Sequence, residues 1–322
     1  MKDVLMSKGA LKIVQVCAGV KPAESVLIIT EPKMMNIAKS IFSAVYAMGA
    51  EPVISVMEPR TIDGQEPPKS IAAAMINSDV FIAAVYKSIT HSKAVKNAVE
   101  AGSRGIMLTQ FEDELMISGG IEADFKNLAP VCKAVASALE NSKEVKLTTP
   151  HGTNLTFCAT GRRGNAMTCL VQPGEFAPMP TIEANVSPLE GTATGTIVAN
   201  ASIPYIGIGV LKENVIVKVE NGKIIAITGG EEAKILAKNL ESKNDPLVYN
   251  IAELGVGLNP NCKFMGLMLE DEGVYGSVHI GIGTNITLGG NLKAACHYDL
   301  IMTEATIIAD GKTILENGVV CV

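Results

Sequence analysis

Four short runs of apolar, mostly β-branched or aliphatic residues alternate with amphipathic segments in the first half of the chain. The runs are Ser25–Thr30, Pro52–Met57, Asp79–Val85 and Gly105–Thr109. Strands that alternate with helices form right-handed β–α–β units, in which a parallel sheet carries helices on both faces. The predicted helices cover residues 3–20, 32–48, 67–77, 90–101 and 128–142. The sequence therefore predicts a Rossmann-like α/β domain at the N-terminal end.

The loop after the first predicted strand argues against nucleotide binding. It reads Thr30-Glu31-Pro32-Lys33, and neither a G-x-G-x-x-G nor a Walker-type loop follows the strand. Asp79 and His91 lie near the ends of predicted strands, where α/β sheets bind ligands. A helix cap and a solvated loop residue are the interpretations favoured for these two positions.

The sequence pattern changes near residue 145. Short alternating segments flank residues 150–153, Asn221-Gly222 and Asp310-Gly311, and such turns are typical of antiparallel hairpins. A helix is predicted over Glu231–Ser242, with acids at its start that suit the helix dipole. The predicted fold is therefore α/β overall: a Rossmann-like parallel-sheet domain (residues 1–145), then an α+β, largely antiparallel metal-binding domain (residues 146–322).

Composition limits the partners of the chain. The formal net charge is −6, aromatic residues make up 4% and tryptophan is absent, so nothing suits a phosphate backbone or stacked bases. No apolar run approaches the roughly 20 residues of a membrane span, and the N-terminal segment lacks a signal-peptide core. The seven cysteines are scattered and never spaced C-x-x-C, which is typical of a reducing compartment. A cytoplasmic protein with neither nucleic-acid nor membrane partners is expected.

The segment Gly276–Asp299 is the strongest candidate for a functional site. It contains two of the four histidines, His279 and His297, separated by glycine-rich turns. His297 and Asp299 are two residues apart, a spacing that places both side chains on one face of a strand. Histidine nitrogen and carboxylate oxygen are common ligands of zinc, manganese and iron(II). The pattern predicts a metal site.

Two further acids stand out in the second half. Glu253 is a lone acid in the apolar, glycine-spaced run at residues 251–260, where a carboxylate is costly to bury unless it is paired or bound to a metal. An ion pair with Arg162, Arg163 or Lys263 is the alternative. Glu183 follows a loop rich in proline and glycine. Glu253 joins the two histidines and Asp299 as a predicted metal ligand.

Several segments resemble the aminopeptidase T/aminopeptidase S metallopeptidases, which carry two divalent metal ions. The segments are PTIEANVSP, IAELGVGLNP, LEDEGVYGSVHIGIG and HYDLIM, and PHGTNLTF extends the resemblance over most of residues 145–322. The tyrosine ligand of that family would fall on or near Ile286. The resemblance implies that the metal ligands are Glu183, Glu253, His279, His297 and Asp299.

The chain also resembles the 2,5-dihydroxypyridine 5,6-dioxygenases, mononuclear iron(II) enzymes that share the fold. This resemblance is carried by the overall length and by the run GTNITLGGNLKAACHYD. In those enzymes a histidine takes the position of Glu253, a serine ligand falls near Gly281, and only the His-x-Asp pair is shared. The ligand set of this chain therefore resembles that of the peptidases more closely, without the tyrosine.

The function expected first is a metal-dependent hydrolase. One or two zinc, manganese or cobalt ions would activate water to cleave an amide C–N bond of an aminoacyl, small linear or cyclic amide substrate. Glu272, or Glu270, would pass the proton to the leaving nitrogen. Asp271 is expected to lie in a solvated turn.

Two alternatives stay open. The first is an iron(II)-dependent dioxygenase that cleaves a hydroxylated N-heteroaromatic ring, with His279, His297 and Asp299 as the facial triad. The second is a non-catalytic, metal-stabilised binding protein. Because the relatives are oligomeric, a homodimer or higher homo-oligomer that acts on a small-molecule substrate is expected.

Overall fold

The computed structural model describes residues 1–90 and 92–322, so His91 lies outside the described residues. A π-helix over Lys12–Cys17 continues the first α-helix. The α-helices are α1 (Lys2–Leu11), α2 (Met35–Ala47), α3 (Lys69–Ile76), α4 (Lys93–Glu100), α5 (Phe125–Leu139), α6 (Glu231–Ser242) and α7 (Met268–Asp271).

Within the described residues, the strands belong to one parallel and two antiparallel sheets. In chain order they are β1 (Ser25–Thr30), β2 (Glu51–Val56), β3 (Val80–Val85), β4 (Arg104–Thr109), β5 (Val145–Thr148), β6 (Asn154–Phe157), β7 (Gly164–Met167), β8 (Phe176–Pro178), β9 (Glu183–Val186), β10 (Thr194–Ala199), β11 (Ser202–Ile203), β12 (Gly209–Val210), β13 (Val215–Glu220), β14 (Lys223–Thr228), β15 (Ile251–Gly257), β16 (Val278–Gly283), β17 (His297–Met302), β18 (Thr306–Ala309), β19 (Lys312–Glu316) and β20 (Val319–Val320).

The chain forms two compact units, each discontinuous in sequence. Unit 1 comprises Met1–Asn127 and Met167–Thr181, and unit 2 comprises Leu128–Ala166 and Ile182–Val322. The division into domains at residues 145 and 146 stays a prediction. No helix within residues 1–90 and 92–322 is both long enough and apolar enough to cross a membrane.

Unit 1 is built on a parallel sheet with the strand order β2-β1-β3-β4-β8. The predicted α/β class is confirmed, and the first four strands lie where the apolar runs predicted them. The order β2-β1-β3-β4 is that of flavodoxin-like folds rather than of dinucleotide-binding Rossmann folds. Strand β8 has only three residues, and one of them is a proline, so its sequence gave no strand signal.

The core of unit 1 is aliphatic, with little aromatic content. Side chains alternate between the two faces of each strand, and on one face Leu27, Ile29, Phe81 and Ala83 pack with apolar residues of α3 and α4. The residues between them, such as Ile28 and Ile82, are buried as well. Strands buried on both faces read as continuous apolar runs, which is why their pattern lacks polar alternation.

Unit 2 contains the two antiparallel sheets. The eight-stranded sheet has the order β14-β13-β10-β6-β5-β18-β19-β20, and the seven-stranded sheet has the order β12-β11-β17-β16-β15-β9-β7. The predicted hairpins β5–β6, β13–β14 and β18–β19 are present. The predicted helix α6 has the bounds expected from its sequence.

Candidate metal centre

The candidate metal ligands lie on one face of four adjacent strands in the seven-stranded sheet. The antiparallel register sets Glu183 opposite Gly257, His279 opposite Gly255, and both Glu253 and Asp299 opposite Gly281. Residues directly opposite each other in an antiparallel pair point to the same face. Because side chains also alternate along a strand, this face carries ligand-type residues and glycines in turn.

Two of these glycines make the room that the polar side chains occupy. A Cβ atom at Gly255 would lie 2.0 Å from Nε2 of His279. A Cβ atom at Gly281 would lie 2.8 Å from both Cβ of Glu253 and Cε1 of His297. Contacts this short would force the neighbouring side chains to shift, so the glycine spacing of β15 and β16 allows the cluster its present arrangement.

Glu253, His297 and Asp299 form the first group of donor atoms. Each offers one ligand atom within 4.8 Å of those of the other two. Nε2 of His297 lies 3.0 Å from Oε2 of Glu253 and 3.4 Å from Oδ1 of Asp299. Nδ1 of His297 lies 2.8 Å from the carbonyl oxygen of Thr284. A carbonyl only accepts hydrogen bonds, so Nδ1 carries the hydrogen and Nε2 faces the carboxylates.

Glu183, Glu253 and His279 form the second group, which shares Glu253 with the first. Nε2 of His279 lies 3.5 Å from Oε1 of Glu183, and both side chains are almost completely buried. The side-chain amide of Asn185 donates a 2.7 Å hydrogen bond to the same carboxylate oxygen. Asn185 therefore fixes Glu183 in place. The structure thus groups His297 and Asp299 with Glu253, and His279 with Glu183.

The burial of these charges shifts their pKa values strongly. Burial, reinforced by the charge of Glu183, raises the pKa of Glu253 to about 7. Burial opposes protonation of His279, but Glu183 and its neighbouring carboxylates dominate and raise the pKa of His279 to about 10. Burial likewise works against ionisation of Asp299, yet the nearby His297 holds the pKa of Asp299 well below its usual range. Carboxylates and imidazoles in this space are thus strongly coupled.

Tyr205 links the cluster to Glu272. Its phenolic oxygen lies 2.6 Å from Oδ2 of Asp299 and 2.8 Å from Oε1 of Glu272. One phenol hydrogen serves only one of these contacts, so the second requires a proton on a carboxyl group. Burial and then the charge of Asp299 raise the pKa of Glu272 well above its ordinary value, so of the two carboxyl groups Glu272 is the one that favours a proton. Sequence reasoning missed Tyr205, because it lies between two short strands outside every recognised segment.

The other acids predicted near the site have different surroundings. Glu270 is buried and interacts with the thiol of Cys262. Burial raises the pKa of this thiol, and the charge of Glu270 raises it further. The expectation that Asp271 lies in a solvated turn is wrong, because its exposure is 0%. Asp271 accepts hydrogen bonds from the backbone of Met265 and Gly266 and from the hydroxyl of Ser202. Asp271 thereby holds the loop before α7 against β11.

Arg162, a predicted alternative partner of Glu253, forms its ion pair elsewhere. The Arg162 guanidinium pairs instead with Glu190 and donates a 2.6 Å hydrogen bond to the carbonyl oxygen of Gly289. Glu190 in turn accepts hydrogen bonds from Asn285 and from the backbone of Asn291. These contacts hold the loop over residues 284–296, which leads into His297.

The residues of the cluster suit a divalent cation. Several carboxylates share a buried space with two imidazoles, and a buried excess of negative charge is costly unless a cation balances it. Oδ1 of Asp299 and Nδ1 of His279 are buried and have no hydrogen-bond partner within residues 1–90 and 92–322. Nitrogen and oxygen donors of this kind are those that zinc, manganese and iron(II) accept.

The fold and the donor set define an α/β protein with a buried carboxylate–histidine centre. Its sequence matches the family model for 2,5-dihydroxypyridine 5,6-dioxygenase (NicX) over residues 8–322. The chain belongs to the 2,5-dihydroxypyridine 5,6-dioxygenase family. A dioxygenase of that name from Pseudomonas putida is 30% identical over 159 residues. The aligned stretch covers 46% of this chain and 45% of the relative, so the chain spans about half the length of the curated relative it matches.

Two solved structures share the fold. The 2,5-dihydroxypyridine dioxygenase from Pseudomonas putida superposes with a TM-score of 0.82 at 19% identity, covering 98% of this chain and 96% of that one. AmpT from Thermus thermophilus superposes with a TM-score of 0.72 at 14% identity, covering 99% of each chain. The resemblance to the aminopeptidases is thus present in the fold.

The expected hydrolase function is wrong. The family match over residues 8–322 and the similar curated protein both carry the name 2,5-dihydroxypyridine 5,6-dioxygenase. The family also supports an enzyme rather than a non-catalytic binding protein. Histidines and carboxylates serve both hydrolytic and oxidative metal enzymes, so the donor residues did not distinguish the two classes.

Proposed function

We propose that this protein is an iron(II)-dependent dioxygenase that opens the ring of a hydroxylated N-heteroaromatic compound such as 2,5-dihydroxypyridine. The observation that carries the proposal is the family match over residues 8–322. The name of the similar Pseudomonas putida enzyme specifies cleavage between ring atoms 5 and 6. In the corresponding reaction both atoms of O2 enter the product and no other reductant is consumed.

The residues proposed to hold iron are those of the first group. Glu253, His297 and Asp299 offer two carboxylate oxygens and one imidazole nitrogen within 4.8 Å of one another. His279 and Glu183 stand beside them and share Glu253. The second group gives the centre the donors to hold either one ion or two. When bound, iron(II) supplies redox chemistry with O2 and open coordination positions for the substrate.

The surrounding side chains orient the donors. The carbonyl oxygen of Thr284 accepts the Nδ1 hydrogen of His297, which directs Nε2 into the cluster. Asn185 donates a hydrogen bond to the carboxylate of Glu183 and so orients that donor as well. Glu272 keeps a proton at the edge of the cluster and is proposed to be the acid nearest to the reacting ring. Glu270, the other acid predicted to transfer protons, lies on α7 and is proposed to support this region through its interaction with Cys262.

We also propose that the chain divides into an α/β domain (residues 1–145) and a metal-binding domain (residues 146–322), except that residues 128–145 pack with the second unit and residues 167–181 with the first. The first four strands of the parallel sheet end at Thr109, and the antiparallel sheets begin at Val145. All five proposed ligands fall in the second of these segments.

Oxygen uptake tests the function directly. The protein is first loaded with iron(II) under anaerobic conditions and then exposed to oxygen. It should consume one O2 per 2,5-dihydroxypyridine added, and the aromatic absorbance of the substrate should disappear at the same rate. Zinc-loaded protein and the His297→Ala variant should consume none. Loss of the ring without oxygen uptake, or equal activity with zinc, would contradict the proposal.

A further inference from the structure

The carboxylate of Asp299 is held asymmetrically. Its Oδ2 accepts a 2.6 Å hydrogen bond from Tyr205. Its Oδ1 is buried, has no hydrogen-bond partner among the described residues, and lies 3.4 Å from Nε2 of His297. The two oxygens therefore have different surroundings: Oδ2 is hydrogen-bonded to a phenol, and Oδ1 faces the cluster.

Tyr205 is itself held in place from several sides. Its ring packs against Tyr298, with ring centroids 5.1 Å apart and planes inclined by 41°. The hydroxyl of Tyr298 donates a 2.9 Å hydrogen bond to Asn239 on α6, which fixes the neighbouring ring. Tyr205 also accepts a hydrogen bond from the backbone of Ile208 through its carbonyl oxygen. A ring fixed in this way cannot follow the carboxylate if Asp299 rotates.

We propose that Tyr205 is a positioning residue that occupies Oδ2 of Asp299 and reserves Oδ1 for the metal ion. The inference rests on the proposed iron site. A carboxylate without this phenol would be free to turn and bind an ion through both oxygens. With the phenol in place, Asp299 would offer the ion a single oxygen, Oδ1.

Metal affinity of the Tyr205→Phe variant tests this role. The variant keeps the ring and its packing on Tyr298 but loses the contacts of the phenolic oxygen with Asp299 and Glu272. Removing a partner that orients a metal ligand typically weakens metal binding by about 10–100-fold. We expect that loss in an anaerobic iron(II) titration, together with a changed electron paramagnetic resonance spectrum of bound manganese(II). Tyr275→Phe makes the same chemical change at an exposed position and should leave both unchanged.

The outcomes separate this inference from the proposed function. If the wild-type protein binds no iron(II), the iron site itself is wrong. If the wild-type protein binds iron(II) and Tyr205→Phe binds it equally well with the same manganese spectrum, only the role of Tyr205 is wrong.

A second measurement needs no variant of Tyr205. Infrared difference spectra of wild-type protein labelled with 13C-aspartate, recorded on metal binding, report the splitting of the aspartate carboxylate stretches. The band that belongs to Asp299 is the one that disappears in Asp299→Ala. For this band we expect the wide splitting that is typical of a carboxylate bound through one oxygen. The narrow splitting of two-oxygen coordination would overturn the proposal even if Tyr205→Phe fails to fold.

Discussion

At the scale of residues, the candidate centre depends on its glycines as much as on its acids and histidines. Gly281 lies between Glu253 and Asp299 in the register of three strands, and its missing Cβ leaves room for Glu253 and His297 to approach each other. Glycine in a strand interior weakens the strand, so its presence there needs a reason such as this one.

A single added methyl group at Gly281 should therefore disturb metal binding more than folding. In Gly281→Ala the new Cβ would contact His297 and Glu253 at 2.8 Å, and the imidazole must turn away. We expect iron(II) affinity to fall by about tenfold or more, as for other disturbances of ligand orientation. Isothermal titration under anaerobic conditions measures this change.

Ile280→Val, on the same strand, is the matched control. Ile280 is completely buried, so this variant should lose about 0.5–1.5 kcal/mol of unfolding free energy while keeping its iron(II) affinity. Equal affinity losses in the two variants would show that the centre responds only to the general stability of the sheet.

The residue scale also shows why the sequence led to the wrong reaction. The donors Glu183, Glu253, His279, His297 and Asp299 could be picked out because acids and histidines in apolar, glycine-rich runs are unusual. The structure brings these side chains together, and their ligation of a metal stays a prediction. Tyr205 could not be picked out, because a tyrosine in a loop has no distinguishing pattern. Nothing in the donor types separates a hydrolase from a dioxygenase, and only the family match does so.

At the scale of elements, the loop over residues 284–296 determines the position of His297. Its first residue, Thr284, accepts the imidazole hydrogen of His297. Glu190 accepts hydrogen bonds from Asn285 and Asn291, and Arg162 pairs with Glu190 and binds Gly289. The Arg162–Glu190 ion pair therefore anchors this loop at residues 285, 289 and 291.

Replacing Arg162 should loosen this loop. Arg162→Met leaves Glu190 without its ion-pair partner in a site where the arginine side chain is 7% exposed. Loss of a charged hydrogen bond in such a site is worth about 2 kcal/mol of unfolding free energy. Urea unfolding should show this loss, and limited proteolysis should cut the loop faster. Lys234→Met breaks an exposed pair with Glu231 and should change stability by less than about 0.5 kcal/mol.

The elements themselves were largely predictable. Strand β1 and helix α6 have the bounds that apolar patterning and end signals predicted. Strand β8 was missed, because three residues that include a proline give no periodic signal and join the sheet only through long-range pairing. The strands β11 and β12 were missed because each has only two residues, too few for a periodic signal. Their positions depend on tertiary contacts that local sequence does not carry.

At the scale of the whole molecule, one contribution to the pH dependence of stability comes from a largely buried ion pair in unit 1, away from the centre. Arg104 is 5% exposed and donates hydrogen bonds to the carbonyl oxygens of Ala18 and Gly19 and to the carboxylate of Glu24. Burial works against ionisation of Glu24, but Arg104 and the backbone of Lys21 more than offset it and lower the pKa of Glu24.

A carboxyl group whose pKa is lowered by folding stabilises the folded state when it is ionised. This stabilisation is therefore present above the ordinary pKa of glutamate and is lost as the pH falls through the lower pKa of the folded state. Glu24→Gln should reduce the unfolding free energy by about 1–2 kcal/mol at pH 7, and this difference should shrink below about pH 4. Glu100→Gln, in an exposed pair with Lys96, should have little effect at either pH. A difference that grows on acidification would contradict this assignment.

The central claim is that the carboxylate–histidine centre supports ring-cleaving oxygenation. The most direct measurement is mass spectrometry of the product formed from 2,5-dihydroxypyridine under 18O2 by the iron(II)-loaded protein. Both oxygen atoms of one O2 molecule should appear in the first ring-opened product that forms. Its mass should exceed that of the product formed under ordinary oxygen by about 4 units. A product that carries oxygen only from water would contradict the account.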